Sequence, residues 1–185
     1  RDKGQQMKLL VKEQIGRVNK KLELPIHIER QEHLVRSYMV ACQNIPDLPH
    51  NIYNLKRGSH KLVSNKLPDK YRADYIITTD YGKMLAVAEC KWYFTSWHMN
   101  NGVIKLSLMK IKDTIELADV IKCRPVFIVR LNDGFYYWIP SRDFVSTSTM
   151  EMAGRKDRGY QGDVEPMISV PERYWYPYYI GESKI

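Results

Sequence analysis

The stretch that most limits what this chain can fold into runs from residue 73 to residue 93. ADYIITT (73–79) and KMLAVAECKWY (83–93) are both rich in strand formers, and the residues between them carry turn chemistry. An antiparallel hairpin is the expected result. With a two-residue or symmetric four-residue turn centred on Tyr81-Gly82, Asp80 faces Lys83 and Asp74 faces Glu89. Directly paired residues share a face of the sheet, with Cβ atoms ~5 Å apart. Residues two apart on one strand share a face as well, which adds Lys91. The same face is expected to carry Ile76, Thr78, Leu85 and Val87. An apolar strand face that ends in two opposed acids is costly unless a cation sits between them. Oxygen ligands of this kind suit Mg²⁺ or Mn²⁺. A three-residue loop would shift the pairing by one position and break the face.

Elsewhere the periodicity alternates between helix and strand. Met7, Leu10, Val11, Ile15, Val18 and Leu22 recur at helical spacing, with Pro25 expected to close the segment. A second helix is expected from about Arg30 to Cys42, with Val35, Tyr38, Met39 and Cys42 on one side, ended by IPDLPH. Weaker strand signals lie near IYNL and KLV. From Val103 to Ile121 the residues Ile104, Leu108, Ile111, Ile115 and Ala118 step by three and four, which predicts an amphipathic helix. RPVFIVRL and FYYWI flank Asn132-Asp133-Gly134, a second hairpin signal. After Pro140 the chain reads as polar loop around GRKDRGYQGD. The expectation is one α/β (α+β) domain over 1–185, with a basic helical extension over 1–28 and a loop-rich extension over 140–185.

Charge narrows the partners. The chain has a formal charge of +8, and residues 1–72 hold 15 Lys or Arg against 7 Asp or Glu, so all the excess precedes the hairpin. Its densest part contains Lys56, Arg57, Lys61, Lys66, Lys70 and Arg72 against Asp69 alone. Such an imbalance fits a polyanionic partner, nucleic acid before membrane. No apolar run approaches the ~20 residues that cross a bilayer, and the opening RDKGQQMKLL lacks the apolar stretch of a secretory signal. Three cysteines without CxxC fit a reducing cytoplasm better than disulfides or a zinc knuckle. The five histidines show no HxH or HExxH spacing, and P-loop, GxSxG and GxGxxG patterns are absent from the sequence.

Asp74, followed fifteen positions on by Glu89-Cys90-Lys91, resembles the PD-(D/E)xK nuclease superfamily. The resemblance covers roughly Glu29 to Ile139. It implies a restriction-endonuclease-like core, a central mixed sheet flanked by helices in αβββαβ order. It also implies that Asp74 and Glu89 bind a divalent metal (Mg²⁺, with Mn²⁺ as substitute), that Cys90 lends its backbone carbonyl, and that Lys91 orients or activates the attacking water. The sequence departs from the family in one respect: Ala73 stands where a proline usually precedes the Asp. Pro68-Asp69 and Pro46-Asp47 do not pair with Glu89 on a simple hairpin. Many members place a Glu on the first core helix beside the site; Glu32, in step with Val35 and Met39, is the candidate, with Glu29 as substitute. The helix after ExK often points a polar residue inward, and here Lys105 is the candidate. Together with the basic run, Lys105 is an expected nucleic-acid contact.

The function implied is a metal-dependent DNA endonuclease acting on duplex or branched DNA. Symmetric duplex cleavage needs two centres, so a homodimer is the expected arrangement there. A phage or mobile-element nuclease would act in the host cytoplasm. The alternatives are a non-catalytic basic nucleic-acid-binding protein on the same fold, and an RNA endonuclease.

Overall fold

The computed structural model describes residues 25–53, 60–68, 71, 73–154 and 164–179. The expected helix from Met7 to Leu22 lies outside these residues.

Helix α1 spans 25–44. It is already helical at Pro25, a residue expected to end the preceding segment. A proline is tolerated in a first helical turn because its missing N–H would have no intrahelical acceptor there. Leu34, Val35, Tyr38, Met39, Ala41 and Cys42 form its buried stripe. Its end is held by Asn51, whose Nδ2 donates to the carbonyls of Cys42 (2.9 Å) and Ile45 (3.0 Å).

Among the described residues the strands form two sheets. The larger runs in the order β1-β2-β3-β5-β6-β9, made of Leu62–Lys66, Tyr75–Thr79, Met84–Trp92, Arg124–Leu131, Gly134–Trp138 and Tyr176–Tyr179. Its pairs are antiparallel except β3 with β5. That parallel pair is joined through β4 (Val103–Ser107) and helix α2 (Leu108–Val120), the kind of long crossover that parallel neighbours require. β4 also begins a second antiparallel sheet, β4-β8-β7, with β7 at Met150–Gly154 and β8 at Val164–Pro171. Short helix α3 (Arg142–Thr147) precedes β7.

α1 packs on one face of the large sheet, against Tyr75, Ile77, Ala86, Ala88, Cys90, Val126, Ile128 and Tyr137. The small side chains of Ala86 and Ala88 let the helix approach. The other face carries α2 and the second sheet, with Ile111, Ile115, Phe127, Val129, Trp138, Ile168 and Val170 in its core. The central strands β3 and β5 are covered on both sides, which is why VFIV reads as a continuous apolar run. The αβββαβ core is present, with β4 added before α2.

Three expectations are corrected. Residues 103–107 are strand, not helix: Ile104 and Leu106 are buried while Lys105 points outward. The four-residue step from Ile104 to Leu108 imitates a helix across the boundary, which lies at Ser107, the N-cap of α2. The described part of 140–185, expected to be a loop-rich extension, carries strands β7, β8 and β9. β8 pairs with β4 and β9 with β6, so the segment completes both sheets. The β2–β3 loop also has three residues, Asp80-Tyr81-Gly82, closed by the Thr79 N–H to the Lys83 carbonyl at 3.0 Å. Gly82 takes φ +90°, the left-handed position such a loop needs. This shifts the register by one residue, so Thr78 pairs with Met84, but a bulge at Leu85 cancels the shift. Ile77–Ala86, Ile76–Val87 and Tyr75–Ala88 are then in the expected register. Leu85 itself packs on the α1 side instead.

Candidate active site

Asp74 stands at the entrance of β2, tied to β3 twice. Its N–H donates to the Ala88 carbonyl (3.0 Å), and its Oδ2 accepts from the Cys90 N–H (2.8 Å). Between those two anchor points lies Glu89, so the two carboxylates meet on the α2 face of the sheet. Lys66, at the end of β1, brings its ammonium to 3.6 Å from Asp74 Oδ1 and 5.1 Å from the Tyr75 ring centroid.

Glu89 is fully buried. Its Oε1 accepts from Lys110 Nζ at 2.7 Å and lies 3.6 Å from Lys91 Nζ. Its Oε2 is buried with no hydrogen-bond partner among the described residues. Burial first, and then the charge of Asp74, push the Glu89 carboxyl up to about 7, against the pull of Lys110 and Lys91. Burial also lowers the Lys91 ammonium, with Lys110 adding to the effect and Glu89 opposing it. For Lys110 burial alone would act downward, but the charge and hydrogen bond of Glu89 hold it above its ordinary value. The neighbouring Tyr93 hydroxyl is raised by burial and by the charge of Glu89. The Cys90 thiol faces α1 and is raised well above its ordinary value by burial and the two acids, so it stays protonated and unreactive.

A cleft of about 480 Å³ opens beside this cluster, lined by Lys91, Lys110, Ser107, Lys105 and Glu165 on one side and by Arg30, Trp92 and Phe94 on the other. Ser107 Oγ donates to Glu165 Oε2 at 2.8 Å.

The structure thus brings together Asp74, Glu89, the Cys90 backbone and Lys91. Lys66, expected to contact phosphate, is drawn to Asp74. Glu32 is exposed on α1, which packs on the face opposite Glu89; its charge is felt at the buried Tyr75 hydroxyl. Among the described residues Glu32 does not form a three-carboxylate cluster with Asp74 and Glu89. Glu29 is likewise exposed on α1. Lys105 belongs to β4, with its ammonium 2.6 Å from Glu151. The inward polar residue is Lys110, in the first turn of α2. Sequence reasoning missed it by starting that helix too early; reading Ser107 as an N-cap would have put Lys110 three residues into it. Lys61 precedes β1, its carbonyl accepting from the Asp80 N–H. Lys56, Arg57, Lys70 and Arg72 lie outside the described residues.

Among the described residues no three His, Cys, Asp or Glu side chains cluster as a metal site. The carboxylate donors available are therefore two, and the unpartnered Oε2 of Glu89 fits a cation beside Asp74.

Residues 52–176 match the family described as "Phage putative PDDEXK endonuclease", reaching well beyond the core expected to end at Ile139. A solved structure similar to this chain is Hjc, a Holliday junction resolvase of Archaeoglobus fulgidus. The TM-score is 0.39 and the identity 11%, covering 63% of this chain and 77% of that one. Among curated proteins none matches.

Proposed function

This chain belongs to the phage PD-(D/E)xK endonuclease family, and from that premise we propose that it is a metal-dependent DNA endonuclease centred on Asp74, Glu89 and Lys91. The observation that carries the reading is the buried, unpartnered Oε2 of Glu89. A buried charged oxygen left unpaired costs more than the ~1–3 kcal/mol of a neutral one. A divalent ion held by Asp74, Glu89 and the Cys90 carbonyl meets that need. Mg²⁺ commonly takes one or two carboxylates and keeps several waters, which matches the donor set; Mn²⁺ would substitute.

When bound, the ion neutralises charge on the phosphate oxygens and lowers the pKa of a bound water. The chain's own groups do the remaining work. The Cys90 N–H and Lys66 hold the Asp74 carboxylate from two sides. Lys110 fixes the Glu89 carboxylate through Oε1 and leaves Oε2 for the ion. Lys91, about one-third exposed to the cleft, orients the attacking water and offsets charge developing on the phosphate. Lys56, Arg57, Lys61, Lys70 and Arg72 supply phosphate contacts along the substrate. Cutting both strands of a duplex calls for two centres, so a homodimer belongs to this reading.

The test is incubation of the protein with plasmid, single-stranded DNA, junction DNA and RNA in Mg²⁺ or Mn²⁺. D74N, E89Q and K91A should each lose cleavage by about 100-fold or more, with DNA binding and the folded circular-dichroism spectrum retained. A wild-type protein inert on every substrate would refute the enzyme and leave a nucleic-acid-binding protein. Cleavage of RNA alone would make it an RNA endonuclease.

A further inference from the structure

On the α1 side of the cleft, rings and guanidinium groups alternate. The Arg30 guanidinium, in the second turn of α1, lies 4.8 Å from the Phe94 centroid and 5.9 Å from that of Trp92. Arg130 of β5 lies 4.3 Å from the Trp92 centroid and 5.2 Å from that of Phe135. The order along the surface is therefore Phe94, Arg30, Trp92, Arg130, Phe135.

Core packing accounts for Phe135 and for part of Trp92, which packs on the α1-side core with His33 5.9 Å from its ring, but not for Phe94. Phe135 is buried, but Phe94 is 63% exposed, and Trp92, Arg30 and Arg130 are half-buried. With Arg30 against it and most of its surface in water, the Phe94 ring presents an uncovered face. Leaving a Phe exposed forgoes the favourable burial that Phe127 and Phe135 obtain. Phe94 is three residues from Lys91, hence at most about 10 Å along the chain. Both line the same cleft.

Two ligand chemistries fit such a surface together. An aromatic face stacks on any nucleobase without reading its edge, and arginine both stacks and neutralises phosphate. Inside a duplex both faces of a base are covered by its neighbours, so the ring can receive only an unpaired base.

We propose that Phe94, Arg30 and Trp92 form a stacking platform for an unpaired nucleobase beside the scissile phosphate. The preferred substrate class is then DNA with a single-stranded tail, flap or splayed arm next to duplex. This deepens the nuclease reading and rests on it.

The test compares a blunt duplex with the same duplex bearing a short single-stranded tail, with 2-aminopurine at the first unpaired position. Affinities are measured in EDTA by fluorescence anisotropy on the full chain. The tail should tighten wild-type binding about tenfold, within the range of one base–ring stack, and 2-aminopurine emission should be quenched. Phe94→Ala should bring the tailed-to-blunt affinity ratio close to one, and Phe94→Trp should restore it. A wild-type ratio of one, an unchanged ratio in Phe94→Ala, or unquenched emission would overturn the platform. Cleavage of the same DNAs by wild-type protein in Mg²⁺ separates the two readings. Cleavage without tail preference overturns the platform alone, whereas no cleavage of these DNAs or of plasmid, single-stranded DNA, junction DNA and RNA overturns the nuclease reading beneath it.

Discussion

Glu89→Gln in metal-free protein isolates the electrostatic cost built into the centre. Glu89 is fully buried beside Asp74, and its carboxyl is pushed from the ordinary 4.5 up to about 7. Between those two pH values the folded chain keeps a proton that the unfolded chain has released. Stability must therefore fall as pH rises through this window, with the full penalty present above about 7 and absent below about 4.5. At 1.36 kcal/mol per pH unit the penalty is about 3 kcal/mol. For a chain of this length that corresponds to roughly 6–12 °C in Tm. Gln keeps the shape and an oxygen for Lys110 but does not titrate. In EDTA, thermal unfolding followed by circular dichroism should show the wild-type Tm falling relative to E89Q between pH 5 and pH 8. Mg²⁺ at pH 8 should recover the loss in wild type and not in E89Q. Parallel pH profiles, or equal Mg²⁺ stabilisation of both proteins, would refute the reasoning.

Lys110→Met removes the closest counter-charge of Glu89; because Lys110 is one-third exposed, the expected loss is about 1–2 kcal/mol rather than the full value for a buried pair. Urea unfolding in EDTA should show that loss at pH 8 and a smaller one at pH 5, and equal losses would contradict it. Ser107→Ala removes the α2 N-cap and should lower unfolding free energy by about 1 kcal/mol at constant m; an unchanged urea midpoint would remove that role. Lys66→Met takes a positive charge from beside Asp74 and should tighten Mg²⁺ binding by calorimetry, with weaker binding as the contrary result. Lys61→Ala should reduce the slope of log K against log salt for DNA by about 0.9, as expected for one lost phosphate contact, and an unchanged slope would exclude that contact.

Some of this was legible in the chain and some was not. The opposition of Asp74 and Glu89 was readable because strand alternation has a period of two and both acids end apolar runs. It survived a wrong loop length, since the extra residue at the turn is offset by the bulge at Leu85. No local pattern announces such a bulge; it appears where packing against α1 and β1 over-determines the central register. Val103–Ser107 misled for a related reason. Ile104 and Leu108 satisfy a helical step, and only pairing with β8 makes the first five residues a strand. Within the stretch expected to be loop-rich, Trp175 lies in the core with Trp97 and Trp138, and Tyr178 packs on Tyr38 and Tyr137, contacts that only the pairing of β9 with β6 brings about.

By itself the sequence determined the pieces whose partners are local. These are the amphipathic stripe of α1, the two hairpins, and an Asp, a Glu and a Lys sharing one strand face. Their geometry follows from residue spacing alone. Tertiary structure decided everything that depends on which distant segments meet. β1 delivers Lys66 to Asp74, and the β4–α2 crossover delivers Lys110 to Glu89, a pair 21 positions apart in the chain. Glu32 sits exposed on α1, whose packing face on the sheet is the one opposite Glu89. A lone lysine carries no periodic signal. Its partner is set by long-range strand pairing and layer packing, which are properties of the whole fold.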